Sequence, residues 1–183
     1  MPRDLLLEVG TEEIPARFMP AALEQLEAKA RERLAEARLN FSTVKAAGTP
    51  RRLVLYVRDL ADRATDLEVE IKGPPKKVAF DAEGKPTRAA LGFARNQGIE
   101  VSELVVKEIE GGEYVFASVR DEGRPAEEIL PQLLPDLILS LTFPKTMRWG
   151  SGDLRFVRPI HWLLALLGDE VIPFSLEGQQ PVD

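Results

Sequence analysis

Two rhythms of apolar and polar positions run along this chain, and most of its elements can be read from them. Leu5 to Val9 is a short apolar run closed by Gly10, read as a buried strand. From Pro20 to about Leu39, the residues Leu23, Leu26, Ala30, Leu34 and Ala37 recur at helical spacing. Glu24, Glu27, Lys29, Arg31, Glu32 and Glu36 fill the opposite face, and Pro20 suits a first helical turn. Phe41 to Ala47 reads as a second strand, Gly48-Thr49-Pro50 as a break, and Leu53, Leu55 and Val57 as the alternating face of a third strand. Leu67 to Ile71 resembles a fourth, ended by Gly73-Pro74-Pro75 because consecutive prolines remove donors. After a turn at Asp81 to Lys85, Thr87 is placed to cap a helix with Ala90, Leu91 and Ala94 as its apolar side and Gly98 as its stop. Val105 to Ile109 and Tyr114 to Val119 flank Glu110-Gly111-Gly112-Glu113, a hairpin signal. From Pro125 to Leu141 the apolar spacing is helical again, with Pro131 and Pro135 expected to kink or divide the helix. Trp162 to Leu167 and Val171 to Leu176 surround Gly168-Asp169-Glu170 as a second hairpin, and the tail from Gly178 to Asp183 has few apolar anchors, as in a truncated piece.

This order of elements predicts an α+β fold, a mixed and mostly antiparallel sheet with flanking helices, rather than a regular βαβ alternation. The Gly-Pro-Pro break places the expected boundary between an amino-terminal α/β lobe, 1–72, and a second α+β lobe, 73–183, though the two are also readable as one continuous domain.

Composition narrows the chemistry. The 183 residues include 44% hydrophobic and 30% charged side chains, ordinary for a soluble globular protein. No apolar run approaches a membrane span and no signal peptide is indicated, so the expectation is a cytoplasmic protein. Without cysteine there is no disulfide framework, thiolate nucleophile or cysteine-ligated zinc, and the single histidine, His161, excludes a site needing two. No metal site is expected. A net charge of −6 argues against indiscriminate coating of nucleic acid and leaves room for a local basic patch. The 14 prolines, with asparagine only at Asn40 and Asn96, suggest a heat-adapted source.

Several residue groups invite a chemical reading. Glu12 and Glu13 follow Thr11, read as a cap, and sit where acids complement the dipole of a helix start. Adjacent helical residues point roughly 100° apart, so the pair is a poor acid and base on one substrate atom. An acidic contact surface is the third reading. Gly48-Thr49-Pro50-Arg51-Arg52 lacks the spacing of a phosphate loop, and its arginines are assigned to salt bridges or solvent in preference to phosphate. Lys76 and Lys77 follow two prolines, so a stiffened loop presents them at reduced entropic cost. The run from Phe143 to Pro159 sets Lys145, Arg148, Arg155 and Arg158 against Asp153 alone, interleaved with Phe143, Trp149 and Phe156. Such a mixture can neutralise phosphate and stack on bases, or the aromatics can pack in the core with cations at its edge. His161 has no partners for a triad and is read as a hydrogen-bonded core or surface imidazole. No catalytic residue is assigned.

The blocks LLLEVGTEEIPARF, GTPRRL, GPPKK with FDAEGKPTRAALGFARNQG, and FPKTMRWG with FVRPIHWLLALLGDEVIPF occur in this order across nearly the whole chain. Together they resemble the amino-terminal part of the β subunit of bacterial glycyl-tRNA synthetase, a subunit several times longer than this chain. The resemblance implies an α2β2 ligase that joins glycine to its tRNA with ATP. The class II active site, and with it ATP and Mg, lies on the α subunit. No cofactor is implied for this fragment. Implied partners are the α subunit, tRNA for glycine and the remaining β-subunit domains, including an anticodon-binding region and an HD-type domain whose metal signature this chain lacks. The implied architecture is similar to the B3/B4 type of domain, without its editing site. The leading expectation is a noncatalytic tRNA-binding and assembly region using Lys76, Lys77, Lys145, Arg148, Arg155 and Arg158 on phosphates, with Trp149 as a stacker. The competing expectation is an interaction module that contacts α or later β domains without RNA. An autonomous hydrolase using Glu12 or Glu13 is the poorest of the three.

Overall fold

The computed structural model describes residues 1–109, 111–148 and 154–176. In chain order its elements are β1 (Arg3–Thr11), a 3-10 turn at Ala16–Phe18, α1 (Met19–Glu36), β2 (Thr43–Thr49), β3 (Arg52–Leu60), β4 (Leu67–Pro75), α2 (Lys76–Ala79) and α3 (Arg88–Gln97). After a second 3-10 turn at Val101–Glu103 come β5 (Val105–Ile109), β6 (Gly112–Asp121), α4 (Ala126–Leu139), β7 (Met147–Arg148), β8 (Arg155–Phe156), β9 (Ile160–Leu167) and β10 (Glu170–Val171). The fold is α+β, and every strand pairing among the described residues is antiparallel.

The chain divides into two compact units. Residues 66–122 form one, inserted between the two halves of the other. The boundary expected at residue 73 falls inside β4, because Gly73-Pro74-Pro75 ends a strand rather than forming a linker. Pro75 sits opposite Tyr114 after a register shift, at an edge strand where a missing donor costs no ladder bond.

The larger unit is built on a five-stranded sheet of order β10-β9-β1-β3-β2. Leu5, Leu7, Val9, Leu53, Leu55, Val57, Val44, Ala165 and Leu167 alternate onto one face and join one buried cluster with α1 and α4. α1 contributes Ala22, Leu26, Ala30 and Leu34 to that core and carries Pro20 in its first turn. It closes with Leu39 N–H donating to the Leu34 carbonyl and Arg38 N–H to Ala35, a two-bond helix stop in which Arg38 takes the left-handed conformation. α4 is one helix, neither divided nor ended by its prolines. Pro131 and Pro135 lie four apart on a half-buried side, away from the buried Leu130, Leu133, Leu134, Leu137 and Ile138, so water can reach the carbonyls they leave unpaired. The final hairpin is shorter than expected: of the run from Val171 to Leu176, Val171 pairs with β9 beside Glu170 of the turn, and Ile172 N–H donates to Ala165 O at 2.9 Å.

The smaller unit is a sheet of order β4-β6-β5 with α2 and α3. Thr87 caps α3 by accepting from Ala89 N–H, and Gly98 takes the left-handed conformation at its end. Ala79, Ala90 and Val115 form its buried centre. Leu91 is 49% exposed, so the apolar side of α3 is narrower than the sequence suggests. The β5–β6 hairpin is as expected, with Ile109 opposite Gly112 and Gly111 at a φ of 78°.

Candidate functional site

The carboxylates Glu12 and Glu13 do not open a helix. Thr11 is the last residue of β1 and buried, with its hydroxyl donating to the Glu12 carbonyl, and the first helical turn begins only at Ala16. Three segments instead meet at one end of the sheet. Thr11 N–H donates to Arg51 O at 3.0 Å, Glu12 N–H to Pro159 O at 3.0 Å and Ile14 N–H to Pro50 O at 2.7 Å. The Arg158 guanidinium adds a 3.0 Å bond to the Glu13 carbonyl and a 2.8 Å bond to Val157 O. The side chains of Glu12 and Glu13 point outward. Glu12 lies 3.8 Å from His161 and Glu13 3.9 Å from Arg51, all of them well exposed. These long, solvated contacts hold neither a nucleophile nor a base against a common point, so the pair works through its backbone.

The basic residues singled out in the sequence separate. Lys76 and Lys77 belong to the smaller unit, where Lys76 Nζ sits 3.0 Å from both Glu113 oxygens and Lys77 is exposed. Lys145, Arg148, Arg155 and Arg158 belong to the larger one. Lys145 is exposed, and Arg158 is half-buried in the clamp just described, a structural duty that the sequence does not reveal. Arg148 and Arg155 are brought directly opposite each other in the β7–β8 ladder, with both side chains exposed. Phe156 is fully buried, with Phe143 edge-on to it at 5.2 Å, so these two aromatics follow the core reading. Trp149 lies outside the described residues.

A second constellation escapes the sequence reading. Between Gly10 and Thr11 the register of β9 slips by one residue, so that Gly10 faces Trp162 while Thr11 faces Ile160. The bulge at His161 turns Ile160 into the core, while Trp162 alternates with the inward Leu163, Ala165 and Leu167 and so lies on the face of the sheet away from the helices. There the indole lies flat on Gly10, where any Cβ would stand 2.0 Å from the ring. Its Nε1 donates to Glu8 Oε1 at 2.8 Å. The Arg52 guanidinium reaches Glu8 at 3.3 Å and stands 5.7 Å from the ring centroid. One row along, the Tyr56 hydroxyl donates to Asp4, whose other oxygen accepts from Asp59 N–H at 2.9 Å. The hydroxyl is the main reason the Asp4 carboxyl falls below its ordinary range, the Asp59 amide the next, and the carboxylate in turn raises the Tyr56 phenol. Asp59 takes a φ of 52° where β3 slips against β1. The signal available in the sequence is the five consecutive apolar residues Leu163 to Leu167 and the three from Leu5 to Leu7, which are apolar on both faces of a strand.

Among the described residues no three His, Asp or Glu side chains converge as metal ligands, and no helix is long and apolar enough to cross a membrane.

Comparison with known proteins covers almost the whole chain. The family described as glycyl-tRNA synthetase beta subunit matches residues 5–182. The chain is 58% identical over 178 residues to the glycine–tRNA ligase beta subunit of Moorella thermoacetica and 58% identical over 178 residues to that of Desulforudis audaxviator. It is 53% identical over 180 residues to the corresponding subunit of Desulforamulus reducens. These matches take in 97%, 97% and 98% of this chain and 26% of each relative, so the chain spans about a quarter of their length.

Proposed function

The chain belongs to the glycyl-tRNA synthetase β-subunit family, and from that premise we propose that it is a noncatalytic region of the ligase that joins glycine to its tRNA, serving tRNA binding and assembly. The chemistry, with its ATP and Mg, is assigned to the α subunit. The observation that carries the RNA-binding part is the juxtaposition of Arg148 and Arg155 across β7 and β8, in a chain whose net charge is −6. Two cations held side by side on an otherwise acidic molecule suit consecutive phosphates of a nucleic-acid backbone. Lys145 and Lys77, exposed, extend the same role, while Lys76 is paired with Glu113 and Arg158 is bound to the Glu13 backbone. A cytoplasmic setting follows from that role.

The test is binding of glycine tRNA to the intact α2β2 enzyme after Arg148→Glu and Arg155→Glu. Affinity should fall for every glycine tRNA, and the slope of log affinity against log salt should flatten by about one unit for each phosphate no longer neutralised. Unchanged affinity and slope would remove RNA from this surface. The alternative, an interaction module without RNA contact, is favoured by the open apolar sheet face around Trp162.

A further inference from the structure

We propose that the outer face of the five-stranded sheet is the seat of an apolar segment of the β subunit that lies beyond these 183 residues. The inference rests on the assembly part of the reading above and is independent of its RNA part.

Register places the face in rows. Val171, Leu166, Leu6, Tyr56 and Lys45 form one, Leu164, Glu8, Val54 and Ala47 the next, and Trp162, Gly10, Arg52 and Thr49 the third. Strand spacing makes this lattice roughly 14 Å on a side, about the footprint of one packed element. Tyr56 is 38% exposed, Trp162 39% and Val171 64%, while Leu6, Val54, Leu164 and Leu166 are half-buried against one another. Strands apolar on both faces belong to sheets covered on both sides, and the helices α1 and α4 cover only one.

Charge argues for the occupant. The carboxylate at the centre, Glu8, is already held by the Trp162 indole and Arg52, and Asp4 by Tyr56 and the Asp59 amide with Arg58 nearby. The face therefore offers a phosphate backbone a carboxylate in its middle, with Arg52 already engaged and Lys45 only at the β2 edge. An apolar surface with a neutral, hydrogen-bonded polar network suits protein. Length argues for the same chain: about three quarters of each relative lies outside the match, and a covalently joined segment reaches this face at an effective concentration that a separate subunit does not.

Hydroxyl-radical footprinting read at Tyr56 and Trp162 by mass spectrometry tests the assignment in the 183-residue chain, the full-length β subunit, the α2β2 enzyme and its tRNA complex. The expected result is rapid oxidation in the 183-residue chain and at least fivefold protection in the β subunit alone, with no further change on adding α or tRNA. Protection that first appears with α, or first with tRNA, overturns the assignment in favour of that partner. Protection already present in the short chain, or absent throughout, overturns it as well. As a second readout, Val171→Lys, at a well-exposed position on the edge strand of this face, should leave the melting temperature of the short chain within about 2 °C while lowering that of the full subunit, and equal loss in both would refute the proposal. The Arg148 and Arg155 variants report on tRNA alone, so failure of either reading is visible separately.

Discussion

Replacing Gly10 by alanine should destabilise the larger unit, and it should do so only while Trp162 is present. The added Cβ would lie 2.0 Å from the indole, whereas carbon atoms in contact keep about 3.5 Å, so the ring must lift by roughly 1.5 Å. That movement breaks the 2.8 Å bond to Glu8 and separates the ring from Arg52. For a partly exposed charge-assisted bond the loss is about 1.5 kcal/mol, and the exposed cation–π contact adds about 0.5 kcal/mol. Alanine is better than glycine in a strand by about 0.5 kcal/mol, leaving a net cost of about 1.5 kcal/mol. In a Trp162→Ala background the clash and both interactions are gone, so Gly10→Ala should become neutral or stabilising by about 0.5 kcal/mol. The four proteins of this cycle can be compared by urea unfolding followed by far-ultraviolet circular dichroism. A coupling near 2 kcal/mol is expected. Equal costs of Gly10→Ala in the two backgrounds, within about 0.5 kcal/mol, would refute the account of glycine as the seat of the ring.

Three further outcomes follow from the packing and the charges. Gly123→Ala would drive a Cβ to 1.7 Å from the Ala64 carbonyl oxygen, where backbone faces backbone and neither side can rotate away; a loss of about 3 kcal/mol in urea unfolding is expected, and a loss under 1 kcal/mol would contradict the close approach. Leu134→Ala, at a fully buried position of α4, should cost about 3 kcal/mol and lower the thermal midpoint by several degrees, while Leu139→Ala on the exposed side of the same helix should cost well under 1 kcal/mol. Acid should weaken the fold. Arg31 holds the Glu27 carboxyl low, Arg3 that of Glu127 and Tyr56 that of Asp4, so the unfolded chain takes up these protons first. Their stabilisation is complete above the ordinary values of 4.5, 4.5 and 3.8 and is lost as pH falls through the lowered folded ones; a urea midpoint unchanged between pH 6 and pH 3 would contradict this sign.

Much of the secondary structure was legible because its signals are local. The helical spacing of Leu26, Ala30 and Leu34, the alternation of Leu53, Leu55 and Val57, the Thr87 cap and the Gly111 turn each depend on residues a few positions apart. Where a reading failed, a distant contact had intervened. Thr11 looked like a cap, yet its N–H is bound to Arg51, forty residues along the chain, and Glu12 to Pro159. The prolines of α4 looked like breaks, yet burial of the opposite stripe holds the helix together.

The candidate site divides along the same line. Sequence alone determined the α+β composition, the family blocks and the presence of cations near Arg148 and Arg155. It could not determine that those two arginines face each other, that Arg158 is committed to the Glu13 backbone, or that residues 66–122 form a separate inserted unit. Above all, the inward aim of Ile160, next but one to the outward Trp162, depends on a one-residue bulge against β1. Strand alternation has a period of two, so a single slipped residue reverses every side chain beyond it, and only the partner strand records the slip.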